Sequence, residues 1–92
     1  MTVVRKREYL DELKGIISFI SIDSSNRAIA FKNQLDSKIE NLVHFPYKYR
    51  QSIHHQDKEV RDLIFKGYTI IYRIDVSKDQ IAIVDIFKWI DK

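Results

Sequence analysis

The chain has 92 residues, 45% hydrophobic and 32% charged, with two Gly, one Pro, no Cys and a net charge of +3. These values fit one globular domain, residues 1–92, and exclude disordered and low-complexity classes, disulfide frameworks and thiolate chemistry. The small positive charge is a mild bias toward anionic partners such as nucleic acid or an acidic peptide. No apolar run is long enough to span a bilayer, and MTVVRKREYLDELKG lacks the apolar core and cleavage site of a signal peptide. A cytoplasmic protein without membrane contact is expected.

Thr2 to Arg5 is short and β-branched and reads as an edge strand. Leu10, Leu13, Ile16, Ile17 and Ile20 then recur at helical spacing, and Phe19 and Ile22 widen the apolar stripe. Gly15 weakens that helix slightly. Asp23-Ser24-Ser25-Asn26 is a break rich in N-cap residues. A second helix follows, with Ala28, Phe31, Leu35, Ile39 and Leu42 inward. Pro46 marks a point beyond its end. The short connection makes the two helices an antiparallel hairpin.

Phe45 to Asp57 has no clear period. Three strands follow: Val60 to Phe65, Tyr68 to Val76 and Gln80 to Ile90, joined by Lys66-Gly67 and Ser77-Lys78-Asp79. Turns this short make the strands antiparallel neighbours. Alternation puts Tyr68, Ile70, Tyr72 and Ile74 on one side and Thr69, Ile71, Arg73 and Asp75 on the other. In the last strand it separates Ala82, Val84 and Ile86 from Ile81, Ile83, Asp85, Phe87 and Trp89. The first set suits packing beneath the helices. The second is too apolar for a solvated face and suggests a binding surface. The reverse assignment, with Phe87 and Trp89 in the core, is the alternative. The fold class is α+β: a short strand, a two-helix hairpin and three strands (β-α-α-β-β-β), the hairpin packed on a small antiparallel sheet.

The chain has no Gly-rich phosphate loop and no nucleophile elbow. His54, His55 and Asp57 stand in a polar loop, where solvated side chains are the simpler account than a metal site. No metal, cofactor or small-molecule substrate is expected. His44, at a helix end, is favoured by the dipole. Asp57, Glu59 and Asp62 interleave with Lys58 and Arg61 and read as salt-bridged. Lys48, Arg50, Arg61, Lys66, Arg73 and Lys88 interleave with Tyr47, Tyr49, Tyr68 and Trp89. Basic groups bind phosphate and aromatic rings stack bases, so this pattern would suit RNA. Ordinary surface charge and core aromatics would produce it too.

The order of elements resembles the RelE/ParE toxin superfamily of type II toxin–antitoxin systems. Three segments carry the likeness: YLDELKGIISFIS from Tyr9, LVHFP from Leu42 to Pro46, and VRDLIFKGYTIIYRID from Val60 to Asp75. IAIVDIFKW resembles the closing strand. The resemblance covers nearly the whole chain and implies a small toxin neutralised by a cognate antitoxin. For that partner it points to Ile71, Ile81, Ile83, Phe87 and Trp89.

The superfamily divides by target. RelE-like members cut mRNA on the ribosome with basic residues on the sheet and often a Tyr or His near the C-terminus; ParE-like members poison DNA gyrase. Here Thr69 follows Tyr68 where an Arg is common in both branches. Phe87, Lys88 and Trp89 stand where the C-terminal Tyr or His is expected. Threonine cannot replace a guanidinium, and tryptophan cannot exchange a proton at neutral pH. These departures favour the ParE-like branch, with Arg61, Arg73, Lys88 and Trp89 as target contacts. The alternative is a metal-independent nuclease in which Arg61 and Arg73 hold phosphate and His54 or His55 moves the proton. A non-toxic interaction module is a third reading.

Overall fold

A computed structural model describes residues 1–88; Trp89 and the three residues after it lie outside the described part. The order is β1 (Thr2–Arg5), α1 (Arg7–Asp23), α2 (Ser25–Glu40), a 3-10 turn (Asn41–Val43), then β2 (Val60–Phe65), β3 (Tyr68–Asp75) and β4 (Gln80–Lys88). The sheet order is β1-β4-β3-β2. β2, β3 and β4 run antiparallel as expected. β1 pairs with β4 in parallel, so the sheet is mixed. The helix hairpin is the crossover that a parallel pairing requires.

One residue joins the helices. Ser24 is extended, at φ −161°. Its amide donates to the Ile20 carbonyl, closing α1, and its hydroxyl accepts the Arg27 amide, opening α2. Both chain ends left orphaned by helix termination are thus served by one side chain and one amide. In the turn between β2 and β3, Lys66 and Gly67 both have positive φ, 49° and 83°. A two-residue loop of that kind matches the right-handed twist of its strands.

The hairpin packs on one face of the sheet. Tyr9 and Leu13 of α1 and Phe31, Leu35 and Ile39 of α2 meet Leu63, Phe65, Ile70, Tyr72, Ile74, Ile81, Ile83 and Ile86. Phe31 tilts against the rings of Phe65 and Tyr68 at 5.3 and 5.4 Å. Phe19 and Ile22 do not extend the buried stripe; they are 68% and 80% exposed.

The face assignment of β4 changes midway. Ile83 pairs with Tyr72 but Asp85 pairs with Ile71, so Val84 is an extra residue. This β-bulge reverses the parity of alternation. Ile81 and Ile83 therefore join Ile86 beneath the helices, fully buried. Of the set expected there, only Ile86 takes that place; Ala82 lies opposite Arg73 on the second face. The Asp85 carboxylate accepts the Ile86 amide at 2.8 Å at this irregularity.

Candidate functional site

The second face of the sheet carries Val60, Asp62 and Ile64 of β2, Thr69, Ile71 and Arg73 of β3, and Ala82, Asp85 and Phe87 of β4. The segment between Pro46 and Glu59 closes over it. Ser52 N–H donates to the Val60 carbonyl at 2.8 Å, and Asp62 N–H donates to the Arg50 carbonyl at 3.1 Å. With the bridge between Gln51 and Arg61, residues 50–52 run antiparallel along the outer edge of β2. That edge would otherwise present unpaired amides and carbonyls.

Side chains then fasten the loop. Asp62, 1% exposed, accepts the Ile53 amide at 3.2 Å and the Arg50 guanidinium at 3.5 Å on one carboxylate oxygen. The His54 ring stands edge-on to Phe87, 5.1 Å between centroids. Asp57 accepts the Glu59 amide at 2.9 Å and Arg73 Nη1 at 2.7 Å. The amide, followed by Arg73, holds the Asp57 carboxyl below its ordinary range. Tyr47 donates its hydroxyl to Glu59 at 2.6 Å, and that bond raises the phenol above its ordinary value.

Arg61 has a similar anchoring role. Its Nε donates to the Lys58 carbonyl and its Nη1 to the Tyr49 carbonyl, both at 3.1 Å. The Tyr47 ring covers the guanidinium at 4.9 Å. Tyr72 reaches through the same region to donate to the Pro46 carbonyl at 2.7 Å. These contacts were not legible in the sequence, because none follows a local period. The sequence signal is Tyr47, Tyr49 and Arg50 in an aperiodic stretch, followed by Asp57, Glu59 and Asp62 interleaved with Lys58 and Arg61.

The geometry separates the residues grouped as a phosphate clamp. Arg61 pairs across the sheet with Tyr72, on the helix side; Arg73 pairs with Val60, on the opposite side. Cross-strand partners share a face, so the two side chains leave opposite faces of the sheet. Both guanidinia are spent on the chain's own loop, Arg61 on Lys58 and Tyr49 and Arg73 on Asp57. His54 does fold over the sheet, onto Phe87; His55 is exposed beside it. Thr69, fully buried between Ile64 and Phe87, supplies no cation there. Among the described residues its hydroxyl has no hydrogen-bond partner.

The set expected to meet an antitoxin changes as well. Ile81 and Ile83 are core residues, because the bulge turns them inward. Ile71 is 2% exposed, and Phe87 is half-buried against His54. Much of the apolar surplus on the second face is thus covered by the chain's own loop. Lys88 is exposed; Trp89 lies outside the described residues. Apolar surface remains on the helices, at Leu10, Phe19, Ile22 and Ile29. An open groove of about 390 Å3 runs between Glu12, Gly15, Ile16 and Phe19 of α1 and the Tyr68, Ile86, Phe87 and Lys88 end of the sheet. Among the described residues, no three His, Cys, Asp or Glu side chains gather as a metal site. Nor is any helix there long and apolar enough to cross a membrane.

The comparisons agree with this architecture. The sequence matches the family described as ParE toxin of type II toxin-antitoxin system, parDE, over residues 3–88. The chain belongs to that family and is a toxin of the type II toxin–antitoxin class. A search of curated proteins finds no match. Among solved structures the fold is similar to a chain of the chromosomal ParDE system from P. aeruginosa, with TM-score 0.77 and 14% identity, covering 98% of this chain and 97% of that one. It is also similar to the isolated E. coli RelE toxin, with TM-score 0.67 and 14% identity, covering 99% and 86%. At this identity the two likenesses speak for the fold alone.

Proposed function

We propose that the chain arrests growth by binding and inhibiting DNA gyrase, in the cytoplasm, and that a cognate antitoxin neutralises it. The observation that carries this over the nuclease reading is the placement of Arg61 and Arg73. They lie on opposite faces, and each is committed to the chain's own loop. With Thr69 buried and uncharged, Arg61 and Arg73 gain no third cation at that position for a phosphate in its transition state. Family membership supports the toxin role independently.

For target contact the proposal keeps Lys88 and Trp89, with Arg73 at the rim, and gives Arg61 a structural role. For the antitoxin it moves the main contact to the groove between α1 and the end of β4. There Phe19 is open to solvent and Lys88 stands at the edge, a fit for an amphipathic acidic segment. The test is growth arrest on expression without a partner. The double substitution Lys88→Ala with Trp89→Ala is expected to relieve arrest while the far-UV spectrum is unchanged. Arrest that persists in that variant contradicts the contact assignment. Cleavage of mRNA in a translation extract, abolished by His54→Ala, would overturn the gyrase reading in favour of the nuclease.

A further inference from the structure

The aromatic and basic loop after α2 is used only partly by the contacts above. Phe45 is 69% exposed and Tyr47 48% exposed. Tyr47 is held on its inner side by Arg61 and Glu59, and the backbone on either side of it is pinned. The Pro46 carbonyl accepts Tyr72, and the Tyr49 carbonyl accepts Arg61. The Phe45 ring therefore projects from a fixed turn, with Lys48 N–H donating to the Phe45 carbonyl.

Two cavities flank that ring. One, about 330 Å3, is lined by Lys38, Asn41, His44, Lys48 and Tyr49 together with Leu42 and Phe45. The other, about 620 Å3 and more open, is lined by His44, Phe45, Pro46, Tyr47 and Lys48. Neither lining contains a carboxylate. Lys38 and Lys48 take part in no ion pair among the described residues. The carbonyl end of α2 accounts for a cation at Lys38. Lys48 Nζ lies 5.5 Å from the Tyr49 ring but meets no anion among the described residues, and the Phe45 ring beside it is left in water.

We infer that this corner binds a nucleotide, the base stacked on Phe45 and phosphate groups met by Lys38 and Lys48. Two features define the ligand. Exposed rings next to unpaired cations stack bases and neutralise phosphate without reading sequence. The smaller cavity has the size of a small-ligand pocket, not of a surface that follows a duplex. The second ring, Tyr47, and the larger cavity extend the platform to a neighbouring nucleotide. The ligand is therefore either a free nucleotide or a nucleotide within a single strand. The site shares no residue with the proposed gyrase contact, so the two readings stand or fall separately.

Fluorescence anisotropy with a labelled oligothymidylate, its duplex counterpart and AMP as competitor tests this on the whole chain. The single strand is expected to bind more tightly than the duplex. Its affinity should fall with salt at a log–log slope of about −1.4, the value for two phosphate contacts on a single strand. Phe45→Ala should weaken binding about tenfold, within the range for loss of one stacked base. Lys48→Gln should reduce the slope by about 0.7. Both side chains are exposed, so the far-UV spectrum should not change. Competition by AMP assigns the site to free nucleotide; binding that AMP does not displace assigns it to a strand. Binding of neither probe, equal binding of the duplex, or indifference to both Phe45→Ala and Lys48→Gln would overturn the inference.

Discussion

The two faces of the sheet are both covered, but by different physics. On one face, Leu35, Ile39, Tyr72 and Ile83 are packed side chain to side chain with no exposed surface. On the other, a loop reaches Phe87 through His54 and is held by Asp62 and Asp57, with Arg61 pinning it from the helix side, through backbone and charged hydrogen bonds. Close apolar packing is set by volume and fails as a unit. A polar fastening fails one contact at a time and opens locally. The helix face should therefore set the global stability, and the loop face the local dynamics near the functional surface.

The largest expected effect comes from the helix face. Leu35→Ala removes a fully buried side chain and should cost about 3 kcal/mol, measured as a shift in the denaturation midpoint at constant m-value. Arg61→Ala should cost less, about 2 kcal/mol, because it removes two charged hydrogen bonds to backbone carbonyls. Its signature is the comparison itself: amide exchange should quicken in residues 47–58 before it quickens in β3. Arg61→Lys should not restore protection, since one ammonium cannot reproduce the fork. Uniform exchange in both regions would show that the two faces open together.

Ser24→Ala should cost about 1 kcal/mol through the lost cap of α2, read by thermal denaturation. It belongs to the helix side and should leave loop exchange unchanged.

The pH dependence separates the faces in acid and couples them in alkali. Asp57 is held below its ordinary 3.8, so its contribution is present above that pH and is lost as pH falls through the folded value. The loop should loosen first in acid. Tyr9 is pushed up from 10.0 to about 12, chiefly by burial and then by Asp36. Its contribution is complete below pH 10 and is lost as pH rises through about 12. Burial raises Tyr72 in the same direction. Tyr72 also donates to the Pro46 carbonyl, and Tyr47, raised as well, donates to Glu59, so alkali should loosen the loop together with the helix face. Near-UV circular dichroism and amide exchange across both limits check the order.

The same contrast explains what the sequence revealed. The inward positions of both helices are local and periodic, and Leu13, Phe31, Leu35 and Ile39 are where spacing puts them. Lys66-Gly67 announces its turn by residue type. β4 departs from the alternation its sequence suggests at a single residue. Nothing in IAIVDIF marks Val84 as extra, since it is as apolar as its neighbours. Omitting it on paper restores strict alternation with Ile81, Ile83 and Ile86 inward. The expected free apolar face followed from that slip, and from the invisibility of a loop that is ordered by distant partners. Phe19 and Ile22 erred the other way: the stripe they widen has no sheet left to cover it. That leftover surface, not Ile81 or Ile83, is where a partner of the toxin is expected.

The most direct test of the proposed activity is DNA gyrase supercoiling in the presence of the purified chain without its antitoxin. The account predicts inhibited supercoiling with accumulation of cleaved DNA, retained by His54→Ala and weakened by Lys88→Ala with Trp89→Ala. Full gyrase activity in the presence of chain shown to be folded would contradict it.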